Sequence, residues 1–273
     1  PLLYQVATGL VAGGDIATPL RELVGKQPNV QILLGEVTAL IPDEHQIVFN
    51  GKTLSYDHLV LATGSGSSFF GKDQWRTFAP PMKILEHAEE IRRRLLMAME
   101  QAEQTPDPEA RQFLQTVVVI GSGPSGCEMA GAASRMLRWS LKDAYQQLDP
   151  TQTRILLIDP GEKVLRSMPE ELSKEALQAL QKAGVEFLRQ SRVESMRPGE
   201  VVVSTPNGEQ CIRAATVIWT AGVRASHLGQ ALEAKTGCSL DRGGRVVVEP
   251  DFSIHNHPEI RIAGDLCSYS HTN

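Results

Sequence analysis

Positive charge is scarce in this sequence. Its 273 residues carry 27 Lys and Arg against 32 Asp and Glu, a net charge of −5. A polyanion binder normally shows a basic face, so the balance argues against nucleic acid as a partner. Cysteine is scarce too: the four, at 127, 211, 238 and 267, form no C-x-x-C and no zinc-ligand spacing. A disulfide scaffold is thereby excluded for a chain this long, and a reducing compartment is the default. No apolar run approaches ~18 residues, so no transmembrane helix is expected. Neither a signal peptide nor an initiating Met opens the chain; it starts at Pro1 inside what reads as structured sequence and is read as a fragment. What is present is enough apolar residue, 41%, to bury a core, in a length that suits one large domain or two ordinary ones.

The first hundred residues read as strands, turns and one helix. A bent strand or strand pair is expected over 29–42, and a hairpin over 46–54 around the Asn50-Gly51 turn. Residues 58–64, H-L-V-L-A-T-G, read as a buried strand ending in a small-residue turn. Ile84, Leu85, Ala88, Ile91, Leu95, Met99 and Ala102 keep a helical period that Thr105-Pro-Asp-Pro ends. A β-α-β pattern follows. The apolar run Thr116-Val-Val-Val-Ile is a buried parallel strand, a helix begins near Cys127 and runs past Leu141, and Arg154-Ile-Leu-Leu-Ile-Asp is the second strand. A helix from Pro169 to the turn at Gly184 and strands at 185–188, 201–203, 216–219, 244–248 and 260–265 complete the expectation of a Rossmann-like α/β fold.

The strongest local signal is G-x-G-x-x-G at Gly121, Gly123 and Gly126, directly after a buried strand and directly before a helix. The first glycine allows the tight turn, the second lets backbone approach a pyrophosphate, and the third lets helix and strand pack closely. Free N–H groups at the helix start then face the phosphates. Ser122, Pro124 and Ser125 complete this candidate loop. A dinucleotide site also needs an acid at the end of the second strand, about 20 residues on. Asp159 ends that strand but lies 33 residues past Gly126, an excess assigned to a long helix and loop over 138–153. An acid there favours NADH over NADPH, because it repels a 2′-phosphate. Glu128 is expected in the first helical turn, favoured by the helix dipole, and is read as the carboxylate near the nicotinamide, the one candidate catalytic residue.

Other signals carry less. His255 and His257 lack a third ligand at a sensible spacing, so no metal site is expected and both read as solvated loop imidazoles. Cys267 reads as a small buried residue rather than a redox centre. The run of Arg92, Arg93 and Arg94 reads as the solvated face of an amphipathic helix.

The order of the small-residue turns is more telling than any one of them: A-T-G at 62–64, G-x-G-x-x-G, T-A-G at 220–222, then G-D at 264–265. In this the chain resembles flavoproteins with two dinucleotide-binding domains, an NAD domain inserted into an FAD domain. More narrowly it resembles the type II NADH:quinone oxidoreductases. P-L-L-Y-Q-V-A-T-G at 1–9, D-I-A at 15–17 with Pro19 and Arg21, Y-D-H-L-V-L-A-T-G at 56–64, F-F-G at 69–71 with Trp75, the glycine motif through Gly131, V-I-W-T-A-G-V at 217–223 and I-R-I-A-G-D at 260–265 carry the likeness. The resemblance implies a partial FAD domain at 1–112, an NAD(H) domain at 113–238 and a return to the FAD domain at 239–273. It implies that Ala62, Thr63 and Gly64 lie along the flavin, that Gly264 and Asp265 meet its ribityl and phosphate, and that Glu36 and Val37 lie near the adenine. Gly121, Ser122, Gly123, Pro124, Ser125, Gly126 and Asp159 would hold NADH, and Ala221 and Gly222 would border its nicotinamide half.

The implied activity is transfer of hydride from NADH to FAD and then of two electrons to a quinone, by a protein peripheral on the cytoplasmic side of a membrane, its homodimer state left open. The family's opening FAD glycine motif and its C-terminal quinone-site helix are not in these residues, so the isolated chain is expected to purify colourless. Cys127 and Ser125 stand where the family often has Val and Thr. A related reductase with a disulfide, ferredoxin or oxygen acceptor is the alternative, and a non-catalytic nucleotide-sensing protein is the alternative of another class.

Overall fold

The computed structural model describes residues 2–270 and folds as two compact units. One joins the residues up to Thr18 to the stretch from Ser67 to Gly222; the other joins the stretch from Pro19 to Gly66 to the residues from Val223 onward. Pro1 of the first matching motif lies outside the described residues. The units divide elsewhere than the 112/113 and 238/239 boundaries expected from the sequence, and packing explains the difference. Helix Leu85–Gln104 buries Ile91, Leu95 and Met99 in the same core as Val117, Val119, Met129 and Ile155, so it belongs with the parallel sheet. Helix His227–Thr236 buries Leu228 and Leu232 with Leu40, Ile260 and Ile262, so it belongs to the second unit.

The centre of the first unit is a parallel sheet in the order Thr216–Trp219, Thr116–Ile120, Arg154–Ile158, Val185–Leu188. Beyond their first residues, Thr116 and Arg154, its two inner strands are apolar and buried, because both faces are covered. Alternation along each strand sorts the side chains. Val117, Val119, Ile155 and Leu157 join the helical core. Val118, Ile120, Leu156 and Ile158 join the core under an antiparallel meander of Arg192–Arg197, Glu200–Thr205 and Gly208–Arg213. The sequence reading missed this meander except for its middle strand.

The register sets Trp219 beside Ile120, Ile120 beside Ile158 and Ile158 beside Leu188. The turns after four strands therefore emerge at one sheet edge, where open α/β sheets place ligands. The excess spacing before Asp159 is an excursion that leaves this register untouched. Helix Pro124–Ser134 continues as a π-helical segment, Arg135–Ser140, and the following loop is tied by the Glu103 carboxylate, which accepts N–H groups from Gln146, Gln147 and Leu148 at 2.8–3.0 Å.

The second unit holds an antiparallel sheet of Val37–Ile41, Gln46–Phe49 and Lys52–Ser55. Asn50 and Gly51 turn at φ 48° and 75°, the left-handed pair that an Asn-Gly hairpin requires. A second sheet, Ser253–Ile254, His257–Ile262 and Leu59–Leu61, pairs Leu61 in parallel with Ile262.

Several expectations change. Of 29–42 only Val37–Ile41 is strand; among the described residues no strand runs beside 29–36, and Leu34 stands 94% exposed. The helix after the glycine motif starts at Pro124, not Cys127, because Gly123 is its N-cap, and Glu128 thus lies in the second turn. The strand expected over 244–248 is only Val246–Val247. His257 is not a solvated loop residue: it sits half-buried in a strand, its Nδ1 3.0 Å from Glu259 Oε1. Cys267 is only half-buried, in Cys267–Ser268.

The arginine run is not wholly solvated either. Arg93 and Arg94 both donate to Glu90 at 2.7 Å, and half-buried Arg94 donates to the Phe78 carbonyl at 2.9 Å, fastening helix to turn. Hydrogen bonds from Arg93 lead the causes that hold the Glu90 carboxyl down at about 2, against an ordinary 4.5. A depressed acid contributes stability that is present above its ordinary range and lost as pH falls through the folded value. Glu90→Gln is therefore expected to flatten the loss of thermal stability between pH 4.5 and about 2. An unchanged Tm profile over that window would contradict this role.

Candidate active site

The sheet edge of the first unit opens into a cleft of about 610 Å³. Gly121 and Gly123, Asp159, and Ala221 with Gly222 line it together, from turns that lie 33 or more residues apart in sequence.

The three motif glycines have different physical reasons. Gly121 turns at φ 102°, and a Cβ on it would meet the Ala221 backbone N at 2.7 Å. A Cβ on Gly126 would fall on the Gly121 carbonyl oxygen. These two let the strand, the helix and the turn after Trp219 come together. Gly123 has ordinary extended backbone, φ −69° and ψ −178°, and nothing lies within 4 Å of where its Cβ would be. Its missing side chain leaves open space in the cleft, the cradle that a diphosphate needs. Pro124 occupies the first helical position, where its missing N–H costs nothing. The N–H groups of Ser125 and Gly126 have no acceptor within the helix, as at any helix start.

Asp159 locks the loop from beneath. It is only 5% exposed, and its Oδ2 accepts the N–H of buried Ser122 at 2.8 Å while Oδ1 accepts the N–H of Gly161 at 2.7 Å. Each oxygen keeps a lone pair for a further donor. Thr220 closes the other side, its hydroxyl donating to the carbonyl of Ile120 at 2.8 Å or of Gly121 at 2.9 Å.

The cleft floor is aromatic. Phe69 stacks on Trp219 with centroids 4.8 Å apart, Trp75 packs on the same indole at 5.7 Å, and Trp219 Nε1 donates to the Ser68 carbonyl at 2.9 Å. Phe70, 69% exposed and left-handed at φ 52°, stands at the rim. Lys72, Arg166 and Arg192 line the cleft with Asp159 and Glu194, and the sequence reading found only Asp159 among these five. Glu128 is exposed and does not line the cleft.

The remaining candidates lie in the second unit. Parallel pairing of Leu61 with Ile262 sets the turns at 62–64 and 263–265 side by side. Gly64 and Gly264 turn at φ 64° and 70° with open space where a Cβ would be, and Ser65 Oγ donates to Asp265 Oδ2 at 2.7 Å. Ala62, Thr63, Gly64, Gly264 and Asp265 are thus brought together. Val37 opens the antiparallel sheet of that unit and Glu36 precedes it, the Glu36 N–H donating to Asn50 Oδ1 at 3.0 Å.

Cys127 is inert by environment. Its Sγ donates to the Ser122 carbonyl at 3.3 Å, and burial, helped by Asp159 and Glu128, pushes the thiol up to about 12. Cys211 is exposed. Alkylation under native conditions is expected to label Cys211 first and to spare Cys127, read by peptide mass; labelling of Cys127 at a comparable rate would contradict this packing.

The profile of the pyridine nucleotide-disulphide oxidoreductase family matches residues 1–273. The chain is 42% identical over 273 residues to the type II NADH:quinone oxidoreductase Ndh of Mycobacterium tuberculosis, covering 98% of this chain and 59% of that protein. It is 38% identical over 272 residues to NdhA of the same organism, covering 97% and 58%. Among solved structures, that of NDH2 from Plasmodium falciparum in complex with NADH shares the fold at TM-score 0.86 and 19% identity, over 98% of this chain and 57% of that one. The chain spans less than two thirds of the curated relatives it matches.

Proposed function

This chain belongs to the pyridine nucleotide-disulphide oxidoreductase family, and on that premise we propose that the protein of which these residues are part is an FAD-dependent NADH:quinone oxidoreductase. When bound, the flavin would supply the redox chemistry, two-electron exchange between a nicotinamide and a quinone. What the chain's own residues do is bind, orient and exclude water. In this reading the diphosphate of NADH rests over Gly123 against the N–H groups of Ser125 and Gly126, the ribose hydroxyls reach Asp159, and Ala221 and Gly222 border the nicotinamide half; Glu128, which does not line the cleft, would meet that half only where it leaves the cleft. The FAD contacts are Thr63, Gly64, Gly264 and Asp265, with Glu36 and Val37 toward the adenine. The open turns at Gly64 and Gly264 suit a ligand laid against backbone.

The observation that carries the reading is the convergence of Gly121, Gly123 and Asp159 on one cleft with an uncrowded Gly123. Relatives at 42% and 38% identity, both named for quinone reduction, favour that acceptor over a disulfide or a ferredoxin. No helix among the described residues is long and apolar enough to cross a membrane. From the resemblance alone, the membrane contact we propose is peripheral and on the cytoplasmic side.

Rapid mixing of the full-length flavoprotein with NADH tests the reading. The flavin absorbance is expected to bleach, and addition of a quinone to restore it. A flavin that stays oxidised with NADH bound would overturn the enzymatic reading, and one that is reduced but not reoxidised by any quinone would overturn the acceptor.

A further inference from the structure

Of the three consecutive arginines on helix Leu85–Gln104, Arg93 and Arg94 turn back to Glu90. Arg92 goes elsewhere, to the turn that follows helix Leu3–Ala7. Gly9 in that turn is left-handed at φ 70°, and a Cβ on it would stand 3.4 Å from Arg92 Nη2, 3.5 Å from Cζ and 3.6 Å from Nε. Near-equal distances to three guanidinium atoms set a face of the group on the glycine, so its in-plane N–H donors point past that backbone.

Arg92 lines a second cavity of the first unit, of about 250 Å³, which shares no lining residue with the nucleotide cleft. A change of helix type builds its opposite wall. Helix Pro124–Ser134 runs on into the π-helical Arg135–Ser140, and the Leu141 N–H donates to the Met136 carbonyl, five residues back, at 3.1 Å. On an α-helix of 3.6 residues per turn, residues five apart diverge by about 140°. The wider π turn instead brings Arg135 with Ser140, and Met136 with Leu141, to one wall.

No Asp or Glu lines this cavity, and neither Arg92 nor Arg135 is paired with a carboxylate among the described residues. Glu89, one turn before Arg92, faces Gly13 instead. In a chain of net charge −5, two unpaired guanidiniums at an acid-free cavity call for an anion, and their two charges match a phosphomonoester. The remaining wall is largely apolar, from Leu96, Met136 and Leu141, with Leu10 60% exposed at the mouth. At about 250 Å³ the space falls below the roughly 300–1,000 Å³ of ordinary small-molecule sites, too little for a dinucleotide.

We propose that this cavity binds an alkyl phosphomonoester, its phosphate held by Arg92 and Arg135 and its apolar body laid on Leu96, Met136 and Leu141.

Calorimetric titration of the full-length flavoprotein with hexyl phosphate, inorganic phosphate and hexanol tests it. Hexyl phosphate is expected to bind at least about tenfold more tightly than either of the others, since only it uses both walls. Arg92→Ala and Arg135→Ala should each weaken it about tenfold, the loss of one charge-assisted hydrogen bond. Arg93→Ala, whose guanidinium is engaged by Glu90, should leave it unchanged. Flotation with phosphatidylcholine vesicles, with and without phosphatidic acid, identifies the source of the ester. Binding that depends on phosphatidic acid and falls in both arginine variants supports a lipid headgroup; vesicle binding that neither variant moves, with hexyl phosphate still bound by the parent, supports a soluble ester. Hexyl phosphate that binds no more tightly than hexanol, or an affinity that neither Arg92→Ala nor Arg135→Ala moves, would overturn the inference.

Discussion

Alanine at Gly126 is expected to destabilise the first unit, whereas alanine at Gly123 is expected to leave its stability intact and remove nucleotide binding. The two glycines are three residues apart in one motif, yet a Cβ meets opposite surroundings at each. At Gly126 it lands on the Gly121 carbonyl oxygen and 2.7 Å from Thr220 Oγ1, both held in place by the turn. Alanine is the better helix former by about 1 kcal/mol, but overpacking against fixed backbone costs about 3 kcal/mol and outweighs that gain. A net loss of about 2 kcal/mol and a fall in Tm of roughly 6 °C follow for a unit of this size.

At Gly123 the backbone is extended and nothing lies within 4 Å, so stability should move by no more than about 0.5 kcal/mol. The methyl group would instead occupy the space left for the diphosphate, and NADH affinity of the full-length protein should fall about a hundredfold, some 3 kcal/mol. Thermal melts and NADH titrations of both variants separate the two effects. Equal destabilisation, or NADH binding retained in Gly123→Ala, would contradict these separate roles.

Asp159→Ala is expected to damage stability and binding together. The carboxylate is the acceptor for two short backbone bonds, from Ser122 and Gly161, and Ser122 is 2% exposed. Removing it leaves two N–H groups to find other partners in a buried turn, at about 1–3 kcal/mol each. A loss of about 3 kcal/mol in denaturant unfolding is the expected result, since water entering the new space recovers part of the cost. NADH affinity should drop by about two orders of magnitude, because the phosphate loop loosens as the ribose partner goes. Asp159→Asn keeps one acceptor and is expected to lose less of both. A variant Asp159→Ala as stable as the parent would mean that the acid does not organise the loop.

Much of the first unit could be read from residues because its signals are local. The run Thr116-Val-Val-Val-Ile, the glycine motif and the helix through Ile91 and Leu95 each carry their period or turn chemistry in a short window. Asp159 was found despite its distance from Gly126 because it ends an apolar strand, and a strand's register is indifferent to the length of the loop before it. The misses are of the opposite kind. The outer strands Arg192–Arg197 and Gly208–Arg213 are half polar, since one face is solvent, and only pairing with Glu200–Thr205 defines them. The stretch 29–36 has strand composition but no strand beside it among the described residues, and pairing rather than propensity decides. Arg166 could not be seen as a site residue because its place depends on the left-handed turn at Leu165, which Leu does not announce. Glu128 was set one turn too early because Pro124, not Cys127, opens the helix.

The most direct test of the central claim is an experimental structure of the full-length flavoprotein with NADH bound. The diphosphate is expected over Gly123 at the start of the helix, the adenosine ribose beside Asp159, and the nicotinamide half toward Ala221 and Gly222. NADH bound away from the cleft between the Gly121 and Asp159 turns would contradict it.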